Sequence, residues 1–202
     1  MRYLNFLRKK HGLADKGKIN IAVCGSCSGA GSTHFSIMLA NYCANVCGLR
    51  TVITECDNHK DFLKICIETG KVRDDYRKFS YKNITFIQEE DIEASQKTMD
   101  SAEVIIYDCG CAGVNNKIYQ LADVRYAVLS ASIYKMAKTL RFMDESGCDC
   151  IYTCMFGGDK QVKMLSGRTE KEIFRIPCER DPFCLSGRTV NWISNILYER
   201  LF

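Results

Sequence analysis

Gly25-Ser26-Cys27-Ser28-Gly29-Ala30-Gly31-Ser32-Thr33 is the stretch on which the reading of this chain turns. It follows a short apolar run, residues 19–24. It leads into a segment where Phe35, Met38, Leu39, Tyr42 and Val46 recur at helical spacing, with Gly48 as the expected C-cap. A strand, a glycine-rich turn and a helix N-terminus together make an anion cradle, because successive backbone N–H groups converge and the helix dipole adds partial positive charge. The spacing is that of a phosphate-binding loop, yet Ser32 stands where a lysine is expected before Thr33.

Outward from this loop the chain alternates between apolar runs and helical patterns. Runs at 51–54, 84–87, 104–107, 126–129, 150–155 and 173–176 read as strands, making seven with the first. Residues 61–69 read as a helix that stops at Gly70. Ile133, Met136, Ala137, Leu140 and Met143 share one helical face, and Val190, Ile193, Leu197 and Leu201 mark a closing helix. The pattern predicts an α/β fold, a mostly parallel seven-stranded sheet with helices on both faces. Ligands in such sheets bind at the carboxyl ends of the strands.

Composition bounds the rest. The 202 residues suffice for one full core and are few for two. The division expected is a basic N-terminal segment and connector at 1–18, followed by a single domain at 19–202. A net charge of +4 is too small to argue for nucleic acid. No apolar run reaches the length of a bilayer span, and no secretory signal is read. The 13 cysteines lie inside apolar runs, as in Ile65-Cys66-Ile67, and read as reduced thiols of a cytoplasmic protein rather than a disulfide scaffold. Residues 1–10, MRYLNFLRKK, read either as a short basic amphipathic helix that touches a membrane surface or as a terminal turn on the body.

Three strand ends carry chemistry: the loop itself, Glu55 and Asp57 after the second run, and Asp108-Cys109-Gly110 after the fourth. A hydroxyl opening a helix and a carboxylate ending a neighbouring strand hold magnesium on nucleotide phosphates, and a second carboxylate orients an attacking water. Each acid alone reads equally well as a cap or a solvated loop residue; their joint order carries the argument.

On these residues the chain resembles the MinD/ParA family of P-loop ATPases, whose loop runs roughly G-x-K-G-G-x-G-K-T. Gly25, Gly29, Gly31 and Thr33 match it, Glu55-Cys56-Asp57 resembles the family's D-x-D, Ile105-Ile106-Tyr107-Asp108 its apolar strand ending in Asp, and Ile176-Pro177-Cys178-Glu179 its I-P-x-D. The Gly-x-Gly-Ser-Thr ending is similar to the CpaE/TadZ branch, which positions pilus-assembly machinery at a cell pole. The resemblance implies ATP or ADP with Mg, held by Gly25, Ser26, Cys27, Ser28, Gly29, Ala30, Gly31, Ser32, Thr33 and His34. Pro177 would lie near the base, Thr33 and Asp108 at the metal, and Asp57 toward the water. It also implies protein partners and recruitment to a membrane or cell pole.

The departures weaken this site. Cys27 stands at the signature-lysine position, Ser32 at the loop lysine and Ser28 at a glycine. Losing two charge-assisted hydrogen bonds removes roughly 3–6 kcal/mol, or about two to four decades of affinity. Weak binding and little or no hydrolysis are expected, unless Lys60 or Lys160 compensates. A homodimer would no longer depend on ATP, since Cys27 replaces the lysine that reaches across. Two other readings stand beside this one: a scaffold that binds no nucleotide, and a zinc or iron–sulfur site built from Cys24, Cys27, Cys109 and Cys111.

Overall fold

The computed structural model describes residues 17–57, 59–71, 77–88, 95–111, 116–146 and 149–201, the side chains of 198–201 excepted. The proposed membrane-touching segment 1–10 and most of the 1–18 connector lie outside these residues. Strands β1 (Ile19–Gly25), β2 (Thr51–Glu55), β3 (Lys78–Tyr81), β4 (Ile84–Ile87), β5 (Val104–Asp108), β6 (Val124–Leu129), β7 (Ile151–Cys154) and β8 (Phe174–Arg175) form one sheet in the order β3-β4-β2-β5-β1-β6-β7-β8. All neighbours are parallel except β3, which pairs antiparallel with β4 at the edge.

The sheet therefore has eight strands where seven were expected. The strand missed is β3, which buries Phe79 between exposed Lys78 and Ser80 and offers no continuous apolar run. Its turn into β4 passes through Lys82 and Asn83, both at positive φ.

Strand alternation divides the core. Ile21 and Val23 of β1 point into a cluster with Phe35, Ile53, Ile106 and Tyr126; Ala22 and Cys24 point into another, with Cys109, Tyr119, Leu129 and Leu165. The first face is covered by α1 (Ser32–Asn41), in which the residues from Phe35 to Asn41 are all buried, and by α7 (Gly187–Leu201). Phe35 meets the rings of Tyr126 and Trp192 edge-on at 5.2 and 6.0 Å, which fixes α1 on the sheet. Helix α2 (Asp61–Glu68) seats Phe62 edge-on against Phe86, itself stacked on Phe79. The opposite face carries α3 (Gln96–Ser101), α4 (Lys117–Leu121), α5 (Met136–Glu145) and α6 (Asp159–Thr169).

Helix α1 continues into a π turn, Tyr42–Val46, before Gly48 ends it at φ 68°. The wide turn accompanies polar anchoring: Asn45 Nδ2 donates to Asn41 Oδ1 and to the Lys82 carbonyl, and Asn41 Nδ2 donates to the Pro182 carbonyl. Among the described residues no helix is long and apolar enough to cross a membrane.

Candidate phosphate-binding site

Register brings the strand ends together. Asp108 of β5 lies level with Val23 of β1 on one side and Glu55 of β2 on the other. The loop leaves β1 between β5 and β6: the Gly25 N–H donates to the Gly110 carbonyl at 2.6 Å and the Ser26 N–H to the Val128 carbonyl at 2.9 Å. It turns through Gly29 at φ 72° and Gly31 at φ 101°. A Cβ on Gly31 would stand 3.0 Å from the Phe156 ring and 3.1 Å from Met155 Sδ, so both backbone and space require glycine there. The bend leads directly into the first turn of α1 at Ser32. Among the described residues no acceptor takes the amides of Gly29, Gly31, Ser32 or Thr33. Free amides ahead of a ten-residue helix are the kind of group that takes an anion.

The acids stand at or just beyond the ends of β5 and β2. Asp108 is 1% exposed, and its Oδ1 accepts from the Gly110 N–H at 3.3 Å. Burial pushes its carboxyl up to about 7, opposed by the hydroxyl of Thr33 and the Gly110 amide and reinforced by Asp57. Thr33 and Asp108 are thus hydrogen-bonded neighbours at the end of β5. Glu55 is 2% exposed and accepts the Asp61 N–H at 2.7 Å; burial raises it also to about 7. Asp57 bonds the ring of His59 through Oδ2 and accepts the His59 N–H at 3.3 Å through Oδ1. The ion pair in turn raises His59.

His34 does not face the cradle. It lies half-buried against the segment after β8, bonded to the backbone of Glu179, and burial lowers its pKa. Among the described residues its Nε2 has no hydrogen-bond partner. Glu179 caps α7 through the N–H and hydroxyl of Ser186 and through Thr189, so the Pro177 segment is pinned between the starts of α1 and α7.

The four thiols proposed as a metal set are parted by the sheet. Cys24 and Cys109 pack with Cys56 on one face, while Cys27 packs on the other. Cys109 and Cys56 are free thiols joined by a hydrogen bond, which with burial pushes Cys109 up; Cys111 is raised to about 11 by burial and by Cys27 beside it. Among the described residues no group of three or more His, Cys, Asp or Glu side chains is placed to hold a metal ion.

A cation reaches the loop from a place the sequence did not single out. Lys135, at the end of the short turn Ile133–Lys135 after β6, donates from Nζ to the Ser28 carbonyl at 2.8 Å. Lys60 and Lys160, the lysines considered as substitutes, make no hydrogen bond to the loop; they stand exposed at the starts of α2 and α6. The turn that carries Lys135 is tied to the loop by Ser26, whose Oγ accepts from the Ser130 N–H at 3.1 Å and lies 3.2 Å from Thr139 Oγ1. Beside Gly29, Ser130 and Lys135 opens a cavity of about 530 Å³ that Phe156 and Gln161 also line.

A parallel sheet with this strand order, and a glycine loop running from its central strand into a buried helix, is the fold of the MinD/ParA-type P-loop ATPases. No family model matches the sequence, and no curated protein matches it. Solved structures match over nearly the whole chain. A putative plasmid partition protein from Borrelia burgdorferi bound to AMPPNP superposes with a TM-score of 0.63 at 11% identity, covering 90% of this chain and 97% of that one. A ParA family ATPase from Chlorobium tepidum gives 0.56 at 13%, covering 92% and 96%. A chain of the MinC:MinD cell division protein complex of Aquifex aeolicus gives 0.58 at 14%, covering 88% and 96%. At such identities the likeness is one of fold.

Proposed function

We propose that this chain binds the phosphates of ATP or ADP weakly at residues 25–33, hydrolyses ATP slowly or not at all, and positions a partner assembly. The observation that carries the reading is the cradle: a loop bent at two left-handed glycines carries unpaired amides into the start of α1, where the Thr33 hydroxyl bonds Asp108. Phosphate oxygens would be taken by the amides of Gly29, Gly31, Ser32 and Thr33. Thr33 and Asp108 would hold magnesium, whose chemistry is to neutralise phosphate charge. Asp108 must first give up the proton that burial helps it keep near neutral pH.

The same site is poorly equipped for phosphoryl transfer. Cys27 and Ser32 bring no charge to the transferring group, and Asp57, the residue expected to orient water, has its carboxylate committed to His59. A pseudo-ATPase fits better than an ATPase. The positioning role is argued from the neighbours: the Borrelia partition protein holds AMPPNP, and MinD is solved with MinC. By the Gly-x-Gly-Ser-Thr ending we infer an assembly of the pilus or secretion type, with protein partners, a dimer that forms without ATP, and recruitment of a cytoplasmic protein to a membrane or pole through residues 1–10.

Equilibrium titration of ATP and ADP to millimolar concentration, with and without magnesium, tests the reading. Saturable, magnesium-dependent binding that Gly31→Arg abolishes is the expected result. No binding at any concentration would leave the scaffold reading in its place.

A further inference from the structure

We propose that Lys135 is the cation of this phosphate loop, binding the terminal phosphates of a nucleoside di- or triphosphate from the β6 side in place of the lysines absent at positions 27 and 32. The inference rests on the nucleotide reading above and deepens it. Its ground is placement. Lys135 Nζ sits 2.8 Å from the Ser28 carbonyl and 3.4 Å from where a Cβ on Gly29 would stand, at the tip of the loop.

That placement is built into the fold. Ser26 holds Ser130 and Thr139 by hydrogen bonds across more than a hundred residues of sequence, and Thr139 Oγ1 donates to the Ser130 carbonyl at 2.9 Å. Thr139 and Ser130 are buried, so the backbone that presents Lys135 is fixed relative to the loop, and the ammonium alone has room to swing. Among the described residues no carboxylate pairs with Lys135. An ammonium has three donors, and the Ser28 carbonyl takes one. Two remain for phosphate oxygens, on the side where the cavity opens between Gly29 and Phe156.

A lysine that only locked the loop would share this geometry, so the test separates the two roles. Magnesium with ATP, and magnesium with tripolyphosphate, are titrated into the wild type, Lys135→Ala, Lys135→Gln and Lys135→Arg, with Lys138→Ala as control and thermal melting to monitor folding. Lys135→Gln keeps a donor for Ser28 while removing the charge. The expected result is a loss of about 10- to 150-fold for both ligands in Lys135→Ala and Lys135→Gln. Lys135→Arg should stay within a few-fold of wild type, Lys138→Ala should be unchanged, and the salt dependence should be shallower in Lys135→Gln. Wild-type affinity in Lys135→Gln, or a loss with unchanged salt dependence, would overturn the inference and leave the nucleotide reading standing. Absence of binding in the wild type would overturn both.

Discussion

The carboxylate of Asp57 occupies the space that a side chain on Gly110 would need: a Cβ built on Gly110 overlaps Asp57 Oδ2. Gly110 also sits at φ 49° and gives its carbonyl to the Gly25 amide. One glycine thus lets the ends of β1, β2 and β5 close on each other. Gly110→Ala should cost about 2–4 kcal/mol, from left-handed strain and overpacking together. Because the overlap is with one side chain, Asp57→Ala should recover part of that loss in the double variant, and a double-mutant cycle by denaturant unfolding measures the coupling. Additive losses would contradict the contact.

Buried acids make stability depend on pH in an unusual direction. Glu55 and Asp108 rise from ordinary values of 4.5 and 3.8 to about 7 in the fold. Between about pH 4 and 7 the native state therefore binds more protons than the unfolded chain, and stability falls as pH rises through that window. The contribution of Glu55 is at most about 3 kcal/mol. Glu55→Gln, which can still accept the Asp61 N–H, should be more stable than wild type at pH 8, and the two should converge near pH 4. Urea unfolding across the series decides it; parallel curves would contradict the assignment.

Restoring charge to the loop should restore affinity. Ser32→Lys places a lysine at the first residue of α1, where the resemblance puts one, and should tighten ATP binding about 10- to 150-fold by calorimetry. No change would mean that the loop does not hold the phosphates.

Hydrolysis should stay at background. Phosphate release by the purified protein, in the presence of magnesium and ATP, is expected to be the same in wild type and Asp57→Ala. Turnover at an ordinary enzymatic rate of about 1 per second or more, lost in Asp57→Ala, would contradict the pseudo-ATPase reading.

The parallel strands were legible because strands buried on both faces are near-continuous apolar runs, as in Val104 to Tyr107. Strand β3 was not, because an edge strand buries one face and here only Phe79 marks it. The turn at Gly29 and Gly31 was readable from glycine's access to positive φ. Lys135 was not, because its approach to Ser28 spans 107 residues and is made by parallel strand order, which no local pattern encodes. The C-x-x-C of Cys24 and Cys27 shows the converse: the two thiols are close in sequence, yet they pack against different core clusters.

The amide spectrum of the labelled protein, followed by NMR as magnesium and ATP are titrated to millimolar concentration, tests the cradle most directly. Saturable shifts concentrated at Gly29, Gly31, Ser32 and Thr33, and lost in Gly31→Arg, are the predicted result. A spectrum that ATP leaves unchanged, or shifts confined to residues away from the loop, would contradict it.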